Sequence, residues 1–529
     1  MSATPLPQPG LFDVAGRTAL VIGLGASGVA MARWLARQGA RVRVADTRSA
    51  DGSALPAWPA LRDAIADLRY VGGAPWSDDW LDGVDLVAWS PGLSIEKGDS
   101  AQFHARAVAR GIAVAGELEL FAQALADLRE NGYAPQVIAV TGTNGKTTTT
   151  ALAAHLCREA GVDVASAGNI RPPMLDALRE ALDADRLPAV WVIELSSFQL
   201  ALARSFAPDA ATIVNLDEDH LDWHASMRSY VDAKQRIYAH ARLAVFDRGD
   251  PRAAPSAPPA ALRLVSFGAD APAAAGDFGI VREHGIDWLA HAQLEDDPVA
   301  GASPRRRRAP VGFHVRRLMP ADALRIRGAH NYLNALAALA LCDAIGVPMA
   351  KMLHGLRSYA GEPHRCQLVA TIDGVEYYDD SKGTNVGATV AALRGLGRRC
   401  RLIAGGDGKG QDFSALVGPV RTHAAGVYLI GVDAARLQEA FEPSGVPIAR
   451  CESLEEAVRR ASADAASGEA VLLSPACASL DMFRNYEHRG RCFVHAVRAL
   501  EPTGTAAAPA STYEAGDADD AHGNGGSPC

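Results

Sequence analysis

The sequence predicts an α/β protein with three domains: a Rossmann-like N-terminal domain, a central domain of the P-loop type and a Rossmann-like C-terminal domain. Short β-branched runs alternate with Ala-, Leu- and Arg-rich helical stretches, which is typical of parallel sheets. The 529 residues correspond to about three domains at roughly 150 residues each. Glycine-rich turns lead from a strand into a helix in the first and second blocks.

The candidate strands fall into three blocks along the chain. In order they are Thr18–Ile22, Arg41–Ala45 and Leu86–Ala88; Gln136–Val140, Ala189–Ile193, Ala211–Val214 and Ala244–Phe246; and Val375–Tyr378, Arg401–Ala404, Gly426–Ile430 and Ala470–Leu473. We therefore place domains at residues 1–116, 117–361 and 362–500, followed by a disordered tail at 501–529. Between the second and third blocks the pattern weakens, and the arginine-rich stretch Ala300–Ala309 predicts a solvated loop.

Composition predicts a soluble cytoplasmic protein. Hydrophobic residues make up 48% and charged residues 21%, which is ordinary for a globular chain. The 52 basic and 61 acidic residues give a formal net charge of −9, which disfavours non-specific binding to nucleic acid. No apolar run is long enough for a transmembrane helix, so we expect no membrane insertion. The eight cysteines form no CxxC pair, which argues against a disulfide framework or a structural zinc site.

The strongest motif is Val140-Thr-Gly-Thr-Asn-Gly-Lys-Thr-Thr148, which joins a strand to a helix. Backbone N–H groups of such a turn converge on one point, the helix N-terminus adds partial positive charge, and Lys146 adds a full charge. The strict P-loop pattern has glycine where Val140 stands, so the match is to a shortened variant, Gly142-x-x-Gly145-Lys146-Thr147. It predicts a nucleotide-phosphate site with the Thr147 hydroxyl on Mg²⁺; the alternative is a turn without a ligand.

Two more polar residues follow strands of the same block. Glu194 ends the apolar run Val190–Ile193, and His220 lies in Asn215-Leu-Asp-Glu-Asp-His-Leu-Asp222. Open α/β sheets place ligands at the carboxyl ends of their strands. Each residue alone is compatible with a solvated or structural role. A shared Mg²⁺ site would explain both together with Thr147.

The first block carries a dinucleotide-type fingerprint. Gly23, Gly25 and Gly28 have its spacing, and Asp46 closes the next strand where a ribose-binding acid would stand. Taken alone, the pattern indicates a nicotinamide or flavin cofactor, or a strand–helix packing turn without one. It indicates a nucleotide diphosphate without naming the nucleotide.

The third block places clusters of Gly, Lys, Asp and Ser directly after its strands. They are Gly361-Glu-Pro-His-Arg365, Asp379-Asp-Ser-Lys-Gly-Thr-Asn385, Gly405-Gly-Asp-Gly-Lys409 and Ser474-Pro-Ala-Cys-Ala-Ser479. Lys382 and Lys409 could meet an anionic substrate, and Arg365 could bind a phosphate through two hydrogen bonds. Cys477 has apolar neighbours and no adjacent base, which predicts a core cysteine rather than a nucleophile.

Together these motifs resemble those of the Mur ligases from about Gly16 to Leu500. The resemblance rests on Thr141-Gly-Thr-Asn-Gly-Lys-Thr-Thr, Glu194-Leu-Ser-Ser-Phe-Gln-Leu, Glu218-Asp-His-Leu-Asp, Asp232-Ala-Lys-Gln-Arg-Ile-Tyr, His330-Asn, Pro363-His-Arg, Asp380-Ser-Lys-Gly-Thr-Asn and Ser474-Pro-Ala-Cys-Ala-Ser-Leu-Asp. The chain departs from the family at Arg171, where glycine is frequent, and at Tyr486, where phenylalanine is frequent.

The resemblance implies a role for each matched residue. Substrate binding is implied for Gly23, Gly25, Ser27, Asp46, Thr47, Arg48, Asn169, His364, Thr384, Lys409, Ser479 and Tyr486. ATP binding is implied for Gly142, Thr143, Asn144, Gly145, Lys146, Thr147, Thr148, Asn331, Arg365 and Asp380. Two Mg²⁺ ions are implied, one on Thr147 and Glu194 and one on His220 and a carbamoylated Lys234. Catalytic roles are implied for Lys146, His220, Lys234 and Lys382.

The resemblance also implies the reaction and its partners. The substrates would be ATP, UDP-N-acetylmuramoyl-L-alanine and D-glutamate, joined through an acyl phosphate by a monomer in cytoplasmic peptidoglycan precursor synthesis. Three alternatives remain open: another ligase of the same superfamily, a nicotinamide-dependent oxidoreductase, and a non-catalytic nucleotide-binding module. Among the first, folylpolyglutamate synthase lacks the N-terminal UDP-type block, so the Gly23–Gly28 turn argues against it.

Overall fold

The computed structural model describes residues 14–294, 312–326 and 328–501. The arginine-rich stretch Ala300–Ala309 and the predicted tail beyond residue 501 lie outside the described residues. The chain forms two compact units, Met1–Arg325 with Ala329–Ala360 and Ile326–Gly328 with Gly361–Cys529. Within the described ranges, no helix is both long and apolar enough to cross a bilayer.

The first sheet of unit 1 has five parallel strands in the order β3-β2-β1-β4-β5. The strands are β1 Thr18–Ile22, β2 Arg41–Ala45, β3 Arg69–Gly72, β4 Leu86–Trp89 and β5 Ala113–Ala115, and the helices are α1 Ala26–Arg37, α2 Trp58–Ala64, α3 Gly98–Ala109 and α4 Glu117–Glu130. Strand β1 is buried along its whole length, which explains its unbroken apolar sequence, because helices cover both faces of such sheets.

The second sheet has six parallel strands in the order β11-β10-β9-β6-β8-β7. Its strands are β6 Gln136–Thr141, β7 Val164–Gly168, β8 Val190–Glu194, β9 Ala210–Ile213, β10 Leu243–Asp247 and β11 Arg263–Phe267, and its helices are α5 Lys146–Glu159, α6 Met174–Asp183, α7 Ser197–Ala201 and α8 Met227–Gln235. Strand β6 lies between β8 and β9. The turns after these three strands therefore meet at one edge of the sheet.

A small antiparallel sheet follows where the sequence pattern weakens. Its strands are β12 Phe278–Glu283, β13 Ile286–Leu294 and β14 Phe313–Pro320, in that order, and they precede the helices α9 Ala329–Ala344 and α10 Met349–Ser358. This sheet was not predicted. Most residues of β14 are exposed, so its sequence carries arginine and histidine instead of a buried apolar run.

Unit 2 contains one six-stranded sheet in the order β15-β16-β20-β17-β18-β19. Its strands are β15 Gln367–Ile372, β16 Val375–Asp379, β17 Cys400–Gly405, β18 Ala424–Ile430, β19 Ile448–Arg450 and β20 Ala470–Leu473, and its helices are α11 Val386–Gly395, α12 Val417–His423, α13 Ala434–Phe441, α14 Leu454–Asp464 and α15 Tyr486–Arg498. Only the edge pair β15–β16 is antiparallel within this sheet. Leu472 and Leu473 enter separate apolar clusters, as alternating side chains do on opposite faces of a strand.

The predicted α/β class is confirmed, and each predicted strand is present to within two residues at either end. Cys477 is buried, and burial raises the pKa of its thiol to about 12. This agrees with its interpretation as a core cysteine.

Candidate active site

The phosphate turn lies between β6 and α5 at the carboxyl edge of the second sheet. Gly142 and Gly145 have φ angles of 151° and 77°, which favour glycine. A Cβ on Gly145 would lie 2.5 Å from Asn334 Oδ1. Within the described chain, no side chain caps the N-terminus of α5 at Gly145. The first N–H groups of the helix therefore offer an anion site.

Two residues that the sequence analysis did not assign hold this turn in shape. Thr143 N donates to Asn215 O at 3.0 Å and Asn144 N donates to Asn215 Oδ1 at 2.8 Å, while Asn215 Nδ2 donates to Asn144 O at 2.9 Å. Thr143 Oγ1 lies 2.8 Å from the Tyr230 hydroxyl. The turn is thus preorganised, and Lys146 Nζ donates back to Thr143 O at 2.8 Å.

Glu194 ends β8 beside the phosphate turn, with Val140 as its register partner on β6. Its side chain is buried, and Oε1 accepts a 2.8 Å hydrogen bond from Asn169 Nδ2. Oε2 is also buried and has no hydrogen-bond partner among the described residues. A buried carboxylate oxygen without a partner is costly, and a bound cation would remove that cost. Glu194 therefore fits a metal ligand.

The described ranges contain no cluster of three or more His, Cys, Asp or Glu side chains arranged to hold a metal. Mg²⁺ needs no such cluster, because it usually keeps several waters and binds one or two carboxylates together with substrate phosphates. Glu194 and the buried Thr147 beside the phosphate turn fit that kind of site.

Lys234 is 1% exposed and lies directly under the phosphate turn. Its Nζ donates to Gly142 O at 2.8 Å and to Thr141 Oγ1 at 3.3 Å, and it lies 4.7 Å from the centre of the Tyr230 ring. Burial, reinforced by the charge of Lys146, lowers the pKa of Lys234 well below its ordinary value. The amine is therefore shifted towards its neutral, nucleophilic form.

His220 lies close to both lysines of this edge. Burial lowers the pKa of His220, Asp219 opposes that shift, and the charges of Lys146 and Lys234 add to it. Its ring packs edge-on against Phe198 at 4.7 Å. A neutral imidazole is the form that binds metals. The lowered pKa favours this form of His220, which lies close to Lys146 and Lys234.

Two asparagines of α9 also lie beside the phosphate turn. Asn334 Nδ2 donates to Asn331 Oδ1 at 3.1 Å, and Thr149 Oγ1 donates to Asn334 Oδ1 at 3.4 Å. Asn331 was assigned from the sequence, whereas Asn334, which blocks any side chain at Gly145, was not.

The glycine fingerprint of the first sheet lines a cavity of about 420 Å³. Its walls include Gly23, Gly25, Ser27, Asp46, Thr47 and Arg48, together with Trp76, Trp80 and Ser90–Leu93. A Cβ on Gly28 would lie 1.8 Å from Gly23 O, so α1 can approach β1 only with glycine there. All six residues predicted to bind substrate in this domain thus line one cavity.

Asp46 organises the wall of this cavity. Its Oδ2 accepts from Leu24 N at 2.7 Å, and its Oδ1 accepts from Arg48 N at 3.0 Å and Arg48 Nε at 2.9 Å. Burial opposes ionisation, but the hydrogen bonds from Arg48 and Leu24 outweigh it and hold the pKa of Asp46 below its ordinary value. The Asp46 carboxylate is therefore charged, and both of its oxygens accept hydrogen bonds from neighbouring residues of the protein.

A second cavity of about 220 Å³ adjoins the first and shares Ala26, Ser27, Pro91 and Gly92 with it. Its remaining wall consists of Gly168, Asn169, Ile170, Arg171, Pro173, Ser196, Phe198 and Gln199. Asn169 is the residue that donates to Glu194. We refer to the two adjoining cavities together as the cleft, and Asn169 connects its wall to Glu194, a predicted metal ligand that lines neither cavity.

Glu117 lies beneath this cleft and is buried, with Oε1 accepting from Leu175 N at 3.2 Å. Burial raises its pKa from 4.5 to about 7, against the effect of a hydrogen bond from Ser27. Between these values the native state binds more protons than the unfolded state, so this group makes the free energy of unfolding fall as pH rises.

We expect Glu117→Gln to remove that fall. Because glutamine does not titrate, the free energy of unfolding should depend less on pH in the variant between about pH 4.5 and about pH 7, and each pKa unit is worth about 1.4 kcal/mol. Urea unfolding across this range measures the difference. Glu130→Gln, an exposed site on the same helix, is the control. Parallel pH profiles for wild type and Glu117→Gln would show that Glu117 is not buried as the structure has it.

Lys382, Thr384, Lys409 and Ser479 follow β16, β17 and β20, which are neighbours in the sheet of unit 2. The cluster Gly361–Arg365 was predicted to follow a strand, and this is wrong, because it lies where the chain passes from α10 to β15. Asp407 N donates to Ala478 O at 3.0 Å and Ala478 N donates to Asp407 O at 2.8 Å, which ties the turn of Lys409 to that of Ser479. Lys382 Nζ lies 5.3 Å from the centre of the Tyr486 ring. Lys382, Lys409, Ser479 and Tyr486 therefore belong to adjoining turns, and Thr384 follows Lys382 in the chain.

His364 and Asp380 are held by contacts within unit 2. His364 Nδ1 lies 2.7 Å from the fully buried Asp379 Oδ2. Asp380 Oδ2 accepts from Ser474 Oγ at 2.7 Å, and burial raises the pKa of Asp380 to about 7. Arg365 and Asp380, both assigned to ATP from the sequence, thus lie in unit 2, and the phosphate turn lies in unit 1.

Arg489, a fully buried arginine on α15, was not predicted as a site residue. It donates to Ser381 O at 2.8 Å, to Ser381 Oγ at 3.0 Å and to Cys477 O at 3.2 Å. It therefore holds the turns that carry Lys382 and Ser479. The sequence does not indicate that Arg489 is buried, because it stands among other charged residues of a helix whose composition predicts an exposed face.

A glycine-rich turn at the edge of a parallel sheet, beside a buried carboxylate oxygen that has no hydrogen-bond partner in the described part of the chain, is typical of α/β nucleotide-phosphate-binding proteins. Three domain families match the chain: the Mur ligase MurD-like N-terminal domain over residues 17–116, the Mur ligase middle domain over 140–342, and the Mur ligase glutamate ligase domain over 364–477. The chain belongs to the Mur ligase family.

Curated relatives agree with this membership, and solved structures have a similar fold. The chain is 58% identical over 491 residues to proteins named UDP-N-acetylmuramoylalanine--D-glutamate ligase from Burkholderia mallei (strain SAVP1) and Burkholderia pseudomallei (strain K96243), covering 91% of this chain and 96% of each relative. Its fold is similar to UDP-N-acetylmuramate-alanine ligase MurC of Thermotoga maritima, with a TM-score of 0.53, 18% identity and coverage of 92% and 100% of the two chains. It is also similar to MurF ligase of Thermotoga maritima in complex with ADP, with a TM-score of 0.51, 16% identity and coverage of 78% and 96%.

Proposed function

We propose that the protein is an ATP-dependent amide ligase that adds D-glutamate to UDP-N-acetylmuramoyl-L-alanine in cytoplasmic peptidoglycan precursor synthesis, acting as a monomer. The observation that carries this proposal is the cleft that begins at the 420 Å³ cavity and that Asn169 connects to Glu194. We infer that a substrate with its nucleotide in that cavity extends along the cleft towards Asn169 and Glu194, which ends the strand beside β6. The reaction is the one named for the relatives that are 58% identical.

In the first step, an oxygen of the substrate carboxylate attacks the γ-phosphorus of ATP, and ADP leaves. The carboxylate is a poor electrophile until it carries this phosphoryl group. Lys146 and the N–H groups of α5 neutralise charge on the phosphates. Mg²⁺ would supply further neutralisation when bound. Thr147 and Glu194 would hold one ion, and His220 and Lys234 would hold a second.

The second assignment requires Lys234 to be carbamoylated. A neutral lysine amine adds to CO₂, forming an N–C bond and releasing a proton. The low pKa of the buried Lys234 favours the neutral amine that this reaction needs. Its product is an anion with two oxygens, which suits Mg²⁺, whereas an ammonium beside Lys146 would repel the cation.

In the second step, the amine of D-glutamate attacks the acyl phosphate, loses a proton and forms the amide as phosphate leaves. D-Glutamate carries two carboxylates, and we assign Lys382 and Lys409 to them. We assign the hydroxyls of Thr384 and Ser479 to the same pocket. We assign Arg365 to a phosphate. We assign Tyr486 to the pocket that binds D-glutamate, because Lys382 lies over the Tyr486 ring.

Phosphate release with a panel of amino acids tests this proposal. A pocket built to pair a carboxylate rejects analogues that lack it by roughly 10⁴-fold. With UDP-N-acetylmuramoyl-L-alanine present, we expect D-glutamate to support release, and D-alanine and L-alanine, which lack the second carboxylate, to leave it at background. Meso-diaminopimelate has two carboxylates, but it is longer and carries a second ammonium group, which Lys382 and Lys409 would repel, so we expect background release with it as well. A reaction without D-glutamate is the control. If meso-diaminopimelate or L-alanine is the better acceptor, the D-glutamate assignment is wrong and the ligase mechanism stands.

A further inference from the structure

Residues 90–97, which we call the clasp loop, follow β4 and connect two parts of unit 1. Ser90, Pro91, Gly92 and Leu93 line the 420 Å³ cavity. The remaining residues of the loop contact the segment 221–225, which directly follows His220 in the chain. One short loop therefore touches both the nucleotide cavity and the segment next to a predicted metal side chain.

The clasp loop binds this segment through the backbone. Ser94 Oγ donates to Trp223 O at 2.6 Å, and Trp223 Nε1 donates to Pro91 O at 3.0 Å. Ala225 N donates to Glu96 Oε2 at 2.8 Å. Lys97 Nζ also donates to the backbone carbonyl of Leu221. Because these bonds are spread along the segment, they restrain its position and orientation.

Through His224, Glu96 also connects to Ser197, on the helix that follows the strand of Glu194. The ring of His224 is fully buried, with Nδ1 3.3 Å from Glu96 Oε1 and Nε2 2.9 Å from Ser197 Oγ. Ser197 is the first residue of α7, three positions after Glu194. An imidazole with a partner at each nitrogen has its orientation fixed.

The linked side chains of Glu96, His224 and Ser197 also resemble the triad of a serine nucleophile, its histidine base and an acidic residue. Ser197 is 1% exposed and no lining residue of either cavity, so a substrate cannot reach its hydroxyl. The arrangement fits a structural connection between two segments, and its three members come from the clasp loop, the segment after His220 and the start of α7.

We propose that Glu96 is a positioning residue for the phosphate site. By holding His224, it fixes the two segments that carry His220 and Glu194 relative to the clasp loop, so the loop that lines the nucleotide cavity also sets the geometry of the predicted metal side chains. This inference rests on the metal-binding part of the proposed function and is independent of which amino acid is added.

Calorimetric binding of ADP, with Mg²⁺ and with a chelator, tests the proposal in the full chain. Glu96→Gln keeps the shape of the side chain and an oxygen for Ala225, but it removes the carboxylate that holds His224. Outer-shell partners of metal ligands are worth roughly 10- to 100-fold in affinity. We expect Glu96→Gln to weaken ADP binding with Mg²⁺ by roughly 10-fold and to leave binding with chelator unchanged.

Two further variants make the result decisive. Asp99→Asn removes a negative charge from an exposed site three residues away and should bind like the wild type. Ser197→Ala, which breaks the other bond of His224, should act in the same direction as Glu96→Gln, and the double variant should lose less than the product of both effects. Ser197→Ala also tests the inference if Glu96→Gln does not fold.

Equal weakening of ADP binding with and without Mg²⁺, unchanged binding in both single variants, or effects that multiply independently would each overturn the proposal. Product formation is measured separately. If the wild type makes no D-glutamyl product but Glu96→Gln still lowers the effect of Mg²⁺, the proposed function fails and this inference stands. If the D-glutamyl product forms normally but Glu96→Gln leaves the effect of Mg²⁺ on ADP binding unchanged, the proposed function stands and this inference fails.

Discussion

We expect Lys146→Ala to lower turnover by about 10³-fold or more while the protein remains folded. Lys146 begins α5 and donates to Thr143 O in the phosphate turn. In the proposed mechanism, its ammonium is a full positive charge at the place where charge develops on the transferring phosphoryl group. The turn itself is held by Asn215 and Tyr230, so its shape does not depend on the lysine.

Turnover and thermal unfolding are measured on the same preparations. Lys351→Ala is the matched control, because Lys351 Nζ donates to Ala160 O at the other end of α5. That variant should lose a little stability and keep its turnover. Near-normal turnover in a folded Lys146→Ala variant would remove the phosphate turn from the mechanism.

Lys234→Ala is expected to lower turnover by about 10²-fold or more, and short carboxylic acids should restore part of it. The buried Nζ bonds to Gly142 O and Thr141 Oγ1, so alanine leaves a space beside the phosphate turn. A small carboxylate in that space supplies the oxygens that a carbamate would present to Mg²⁺.

Lys234→Arg distinguishes a carbamate from a simple cation. A guanidinium keeps the positive charge but stays protonated and forms no carbamate, so this variant should be as impaired as Lys234→Ala. Mass spectrometry of the wild type under mild conditions should show an added carboxyl group on the peptide of Lys234. Full activity in Lys234→Arg, or in a wild type whose lysine carries no such group, would refute the carbamate.

The number of lysines supports the importance of these two side chains. The chain has six lysines, and the other 46 of its 52 basic residues are arginines. Four of the six, at positions 146, 234, 382 and 409, lie in the predicted site. Arginine serves most purposes of positive charge, but only lysine offers a compact ammonium or an amine that can lose its proton and react.

Much of the fold could be predicted because the central strands are buried on both faces. Strands β1, β6 and β8 contain unbroken apolar runs, and the residue that follows each run, Gly23, Thr141 or Glu194, marks the carboxyl edge of its sheet. Glu194 and Lys146 were found in this way. The exposed strand β14 has no such run, so the antiparallel sheet could not be predicted.

The contacts that hold the site could not be predicted, because each joins residues that are distant in sequence. Glu96 and His224 are 128 positions apart, and no local pattern links them. Asn215 was visible in a motif, but its bonds to the phosphate turn depend on β9 lying beside β6. The buried Arg489 reads as a surface residue until its helix is placed against the turns of unit 2.

The central claim is that ATP activates the substrate carboxylate as an acyl phosphate. The most direct test labels both oxygens of the alanine carboxylate with a heavy oxygen isotope and measures the label in the phosphate released with D-glutamate. The carboxylate oxygen that attacks the γ-phosphorus leaves with it when the amine displaces phosphate, so we predict one labelled oxygen per phosphate. Phosphate without label, formed together with the amide product, would contradict the mechanism.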